Sequence, residues 1–422
     1  MAISSNFPTT RPSLILDFQK SEVVDPRITF TRTSSATRFN QYGVLEIVAN
    51  NVPRIDFSPT TLLCNGLLAE EQRTNSIRNN TMVGAAAGTP GTLPTNWQKG
   101  EASSLAFNVV GTGTENGITY IDVRLSGTAS ATTSSSVQFE QNSQISASVS
   151  QTWALTSYAK ISAGSTSGLS QIQFGWEERA GSFLASNQSA ITPQNGGNLA
   201  AGRVTHVGVN ANASTTFIKP YILFTPNNGA AIDITLRIGM PQLEQGAFAT
   251  SVIPTTNAAV IRSIDFADIT GTKFSSWYNA TEGTLLTQAQ DMSDATHSSA
   301  QPRVASINNG TNSTIDISRF STSVQGRARI DDAGVNQFNS LTTAWPLATQ
   351  AKIALAYKLN DAAACLGGTT VYTDNTATIP TVNTLTIGNY VSGSSNPWTG
   401  WIQRIVYYPT RLSNAQLQAL TR

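Results

Sequence analysis

The sequence predicts an all-β protein: two antiparallel β-sandwiches after a small N-terminal segment, closed by one short helix. Three observations carry this. Apolar residues recur with a period of two over much of the chain. Turn clusters such as Gly111-Thr-Gly113, Asn195-Gly-Gly197, Asn227-Asn-Gly229 and Asn309-Gly310 separate these runs at sandwich-like intervals. Charged residues make up only 12% of the 422 positions, about half the share usual in soluble proteins, and Ser, Thr, Asn, Gln and Gly fill the gap. That composition argues against a coiled coil, a long helical bundle or a charged disordered tail.

At roughly 100–200 residues per domain, two or three domains are expected. Residues 1–75 form a first segment, with Arg and Pro spaced through short apolar runs and without the Ser/Thr monotony that follows. Residues 76–255 form the first sandwich. Its strands include Ile121/Val123/Leu125 against Asp122/Arg124, Trp153/Leu155/Ser157/Ala159/Ile161 against Thr156/Tyr158/Lys160, and Ile232/Ile234/Leu236/Ile238 against Asp233/Thr235/Arg237. Alternation lapses over Pro254-Thr-Thr-Asn-Ala-Ala259, which places a linker there. Residues 260–422 form the second sandwich, including Ile353/Leu355/Tyr357/Leu359 against Lys358, and this unit is expected to fold alone. The closing helix follows Leu412, with Ser413 as N-cap, Gln416 three residues on, and Leu417 and Leu420 on one face.

Charge and composition also restrict function. With 26 basic and 25 acidic residues the net charge is +1, so the salt-sensitive phosphate-binding field of a nucleic-acid protein is lacking. Cys64 and Cys365 have no metal-ligand spacing and read as reduced thiols. Met1 to Pro12 lacks a basic-then-apolar secretion pattern, and no run approaches the ~18 apolar residues of a membrane span. The expectation is a protein made in a cytoplasm, without membrane insertion.

The chemistry-bearing residues point away from catalysis. His206 and His297 fall in different units, with no nucleophile elbow nearby. Glu177 and Glu178 are consecutive on a strand and so point to opposite faces, which is wrong for a shared sugar site. Asp331-Asp332 before Ala333-Gly334 reads as a hairpin turn. Asp331, Asp332 and Asn336 could also supply part of a calcium shell, as could Asp374 and Asn375. Among the tryptophans, Trp97, Trp153 and Trp401 read as core, whereas Trp176 and Trp277 are open. Trp398 differs: it sits in the loop Ser392-Gly-Ser-Ser-Asn396-Pro397-Trp398, with Tyr390 before it. A pyranose stacks on an aromatic ring flanked by Asn, Asp or Gln. Trp398, Tyr390, Asn396, Asp374 and Asn375 are therefore the expected sugar site, with packing or a subunit interface as the other use of Trp398.

Several strings occur in an order that resembles tailed-bacteriophage virion fibre proteins. They are Arg11-Pro-Ser-Leu-Ile-Leu-Asp17-Phe18, Asp25-Pro-Arg-Ile-Thr-Phe-Thr-Arg32, Ala36-Thr-Arg, Gly43-Val-Leu, Asn51-Val-Pro-Arg54-Ile-Asp56 and Gly66-Leu-Leu-Ala-Glu70-Glu71-Gln-Arg73-Thr-Asn75. The string Met240-Pro-Gln-Leu-Glu244 through Thr250-Ser251-Val-Ile-Pro254-Thr is similar to the end of that family's carbohydrate-binding-module-like jelly roll. Ala351 to Tyr357, Thr384 to Gly388 and Gly400 to Pro409 resemble a concanavalin A/laminin-G-like sandwich. The resemblance implies a non-enzymatic virion structural protein, a tail fibre or spike adhesin that binds host-surface polysaccharide. It further implies a homotrimer and contacts with other virion proteins through the first segment. Asp17, Arg32, Arg54, Glu70, Glu71, Arg73 and Asn75 would be the anchor residues there. No cofactor is expected, although such sandwiches often carry structural calcium. A capsid-decoration, head-fibre or cement role and a polysaccharide depolymerase are the alternatives. Against the latter, the Glu-x-Asp-x-x-Glu spacing of glycan-degrading concanavalin-like proteins does not occur.

Overall fold

The computed structural model describes every residue except 1–5, 101–102, 293–300, 321–323, 347 and 391–395, and the side chains of 341–343 are likewise not described. The chain is all-β, and among the described pairings only the two-residue contact of Thr152–Gly164 with Gln194–Asn195 is parallel. Two sandwiches account for it.

In the first sandwich one sheet runs Ala106–Glu115, Ile118–Thr128, Ala231–Gln245, Thr152–Gly164, and the last of these also pairs with Arg203–Val209. The facing sheet runs Gln98–Gly100, Ser135–Gln138, Phe217–Pro226, Leu169–Ala180, Ser182–Ile191. The alternation read from sequence sets the inward faces. Val123, Leu125, Leu236 and Ile238 meet Val137, Phe174, Trp176 and Ile222 in one buried cluster. Each such side chain contributes about 1.5–3 kcal/mol on leaving water.

The second sandwich has an eight-stranded and a seven-stranded sheet. Its alternation holds at Ile353, Leu355 and Tyr357 but fails at Leu359, which is 63% exposed. The strand ends at Lys358 and the chain turns through Asn360 at φ 58°, so Leu359 belongs to the turn. Ala354 and Ala356, on the opposite face, are buried under the helix Asn414–Thr421. That helix has the expected start: Ser413 accepts from the Gln416 amide, and Gln416 closes the capping box.

Residues 1–75 do not stand apart from the sandwiches. Leu14–Asp17 and Cys64–Ala69 both pair with Gly400–Tyr408, Arg54–Phe57 extends that sheet, and Thr29–Thr31 pairs with Phe266–Thr270. Leu14, Leu16, Phe18, Ile55 and Leu67 lie in the core of the second sandwich. The same segment covers the first sandwich elsewhere: Leu45 packs with Tyr158, Met240 and Val252. This explains why Thr156, Tyr158 and Lys160, on the face opposite the core, are buried too. The lapse at 254–259 is real, yet Thr255 is tied to Asn80 and Thr81, and Val260–Arg262 pairs with Arg73–Asn75.

Candidate functional site

The outer face of the sheet Gln98–Gly100 to Ser182–Ile191 is the face left uncovered by the first 75 residues, and it carries an open groove of about 460 Å³. The strand register builds it as a lattice. One row across the sheet is Gln98, Gln138, Tyr221, Gly175, Gln188; the next on the same face is Lys219, Glu177, Ser186. Alternation puts Phe174 and Trp176 on the core side, so Gly175 and Glu177 fall on the groove side. A side chain at Gly175 would run into the backbone of Asn187 and Gln188. The phenol of Tyr221 therefore crosses this position and donates to Gln188, forming a flat floor. Gln98 donates to Gln138, which leaves amide groups able both to donate and to accept.

The Glu177 carboxylate is held by Lys219 at 3.1 Å and by Arg179. Phe183 stands at the rim, 54% exposed, whereas Lys99 pairs in register with the core residue Val137 and reaches over the Phe107 ring. Glu178 points the other way, as expected, and accepts from the Ala211 and Asn212 amides and the Thr215 hydroxyl. Burial opposes its ionisation, but these donors hold its carboxyl below the usual range.

The expected sugar site is not assembled. Trp398 is fully buried, its ring centre 5.4 Å from that of Trp345 and its amide bonded to the Gly388 carbonyl. It offers no face to a sugar, and this corrects the exposed reading of its loop. Residues 392–395 of that loop lie outside the described residues. Tyr390 carries the Arg303 guanidinium 4.8 Å over its ring, and the carbonyl of Asn396 accepts from the Arg303 amide. Asp374 and Asn375 lie at the far edge of the eight-stranded sheet, four strand steps from Gly400–Tyr408, or about 19 Å at ~4.8 Å per step. Asp374 caps its own turn by accepting from Thr376.

The expected anchor residues are internal. Arg32 pairs with Asp265 at 2.9 Å, Arg54 with Glu70 at 2.8 Å and also with Asp265, and Arg262 with Glu70 at 3.3 Å; all these side chains are at most 1% exposed. Glu70 also accepts from the Ser251 amide and hydroxyl. Asn75 bonds Leu243 and Ile253, and Arg73 pairs with Glu71 and donates to the Gln245 carbonyl. The ordered motifs therefore interlock the first segment, the end of the first sandwich and the start of the second. Arg32, Arg54, Glu70 and Asn75, at most 1% exposed, present no surface to a second protein, which corrects their assignment to a docking face. Asp17 alone of the seven is partly open, near Lys20 and Arg404, each at 3.7 Å.

The proposed calcium ligands do not fit the ion. Asp331 pairs with Arg329 at 2.6 Å and accepts from the Asn336 amide at 3.1 Å, while Asp332 accepts from Thr378. A guanidinium and an amide N–H occupy the oxygens a cation would need. Among the described residues no other cluster of acidic, His or Cys side chains is arranged to hold a metal. His206 is a hydrogen-bonded sandwich residue, between Ser189 and Asn187 and against Trp176; burial lowers its pKa. His297 lies outside the described residues.

No family model and no curated protein matches the sequence. Partial likenesses occur among solved structures. The Ruminococcus gnavus IT-sialidase CBM40 bound to α2,3-sialyllactose is 15% identical, over 34% of this chain and 84% of that one, with a TM-score of 0.30. Domain 4 of AbnA, a Geobacillus stearothermophilus arabinanase in complex with arabinotriose, is 13% identical over 42% and 81%, with a TM-score of 0.30. The NanB sialidase of Streptococcus pneumoniae is 14% identical over 36% and 26%, with a TM-score of 0.31. Likenesses this partial assign neither ligand nor activity.

Proposed function

We propose that the chain is a carbohydrate-binding structural protein of a bacteriophage virion, a tail fibre or spike adhesin, and that the groove of the first sandwich is its sugar site. The groove carries this reading. Its open floor, its amide row and the exposed Phe183 ring offer a saccharide both of the contacts it needs: hydrogen bonds to hydroxyls and a flat apolar face for the C–H side of a pyranose. The ordered N-terminal strings, whose charges form the interlock, support the virion assignment.

The same geometry supports binding without cleavage. Glycoside hydrolysis uses two carboxyls about 5–10 Å apart, one of them held protonated. Glu177 is the single carboxylate among the described groove residues, and both Arg179 and Lys219 pair with it. A trimer would multiply three weak sites into strong adsorption without new contacts.

The test is to incubate the purified chain with surface polysaccharides of candidate bacterial hosts. Retention on at least one polysaccharide, with no new reducing ends or unsaturated sugars, is expected. Released ends would establish a depolymerase instead, and failure to be retained by any would remove the adhesin reading. Electron microscopy of labelled particles then separates tail from capsid.

A further inference from the structure

We infer that a second cavity, where the first 75 residues meet both sandwiches, binds a compact aromatic molecule carrying one hydrogen-bond acceptor. This site is separate from the groove and does not depend on the sugar reading. The cavity measures about 310 Å³, at the small end of ligand sites, which suits a single ring rather than a chain of sugars. Four aromatic side chains line it: Phe39 and Phe57 from the first segment, Tyr158 from the first sandwich and Trp401 from the second. Phe39, Phe57 and Trp401 are only half-buried, so each keeps part of its surface accessible.

Tyr158 decides the chemistry. It is 2% exposed, yet its hydroxyl has no hydrogen-bond partner among the described residues. Buried phenols are normally paired, so a ligand oxygen here gains a bond that the protein itself does not supply. Phe39 stands edge-on to the Tyr158 ring at 6.4 Å, and the Arg203 guanidinium lies 6.0 Å from the ring centre. Most other polar groups around the cavity are engaged. Thr37 donates to the Val252 carbonyl, Arg38 pairs with Glu22 and Glu46, and Arg203 donates to the Thr156 hydroxyl and the Thr250 carbonyl. The Asp56 carboxyl accepts from the Phe39 amide, from Asn65 and from the Trp401 indole. A saccharide would bury several hydroxyls against these rings without partners, whereas a planar ring with one acceptor leaves nothing unpaired.

Ligand-observed NMR titration of the full chain with acetophenone, ethylbenzene and glucose tests this, because the first two share a ring and differ in the carbonyl. Acetophenone is expected to saturate one site about five-fold tighter than ethylbenzene, the margin of one neutral hydrogen bond, and glucose is expected not to displace it. Tyr158→Phe removes only the unpartnered hydroxyl. It should bring acetophenone to the level of ethylbenzene and leave ethylbenzene unchanged. Phe39→Leu, which keeps an apolar side chain but takes away a wall ring, should weaken both aromatic probes about three-fold. Absence of saturable binding by either aromatic probe, equal affinity for the two, or affinities untouched by Tyr158→Phe or by Phe39→Leu overturns the inference. Displacement of acetophenone by glucose overturns the aromatic class of ligand.

Discussion

At the scale of single residues, Trp398 and Phe183 are opposites. Trp398 packs against Trp345 in the centre of the second sandwich, and replacing so large a buried ring with alanine leaves a cavity that rigid strands cannot fill. Trp398→Ala should therefore lower stability by about 3–5 kcal/mol, read as a lower denaturation midpoint. A midpoint unchanged within error would show that the ring is not part of the core. Nothing local marks this difference. Trp398 lies in a Gly/Ser-rich loop that looks open, and it is buried by residues about fifty positions away. Phe183 follows Gly181-Ser182 in an ordinary turn, and it becomes a groove residue only because the strand Ser182–Ile191 lies at the edge of its sheet.

At the scale of elements, period-two alternation settles which face of a strand is buried but not which strand lies beside it. Gln173, Gly175 and Glu177 are legible as the polar side of Leu169–Ala180, and Lys219 and Tyr221 as the same side of Phe217–Pro226. Their union into one groove needs a register between segments about forty residues apart, which no local pattern encodes. The charged motifs show the complementary limit. Arg54 and Glu70 are conspicuous in the sequence, but only the pairing of their segments reveals that they face one another, with Arg262 beside them.

This interlock makes stability depend on pH. Burial alone would raise the Glu70 carboxyl, but Arg262, Arg54 and Ser251 outweigh it and hold the group at about 2, against an ordinary 4.5. Its folded-state value is depressed, so its contribution is complete above pH 4.5 and fades as the pH falls toward 2. The wild type should therefore lose on the order of 3 kcal/mol relative to Glu70→Gln across that window. Asp56 and Asp316, whose carboxyls are raised by burial, act in the opposite sense, and the difference between the two proteins removes them. At neutral pH the variant should already be weaker by about 3–5 kcal/mol, because it leaves Arg54 and Arg262 short of a partner. Denaturation midpoints measured from acid to neutral pH check both statements; parallel curves would show that Glu70 does not couple folding to protons.

At the scale of the whole molecule, the first 75 residues fasten one sheet of the first sandwich to the second sandwich and complete the latter's core. The groove lies on the opposite sheet, turned away from that junction, where a long polysaccharide can reach it without moving either unit. The interlock and the groove proposed for recognition are thus separated in space, and a groove substitution should alter binding without disturbing the fold. The most direct measurement is the affinity of Phe183→Ala for whichever polysaccharide the wild type retains. Loss of an aromatic stacking partner should weaken binding by about 1–3 kcal/mol, roughly 5- to 150-fold. Stability should move by no more than about 0.5 kcal/mol, since the ring is largely exposed. Unchanged affinity in a folded Phe183→Ala protein would contradict the assignment of the groove as the sugar site.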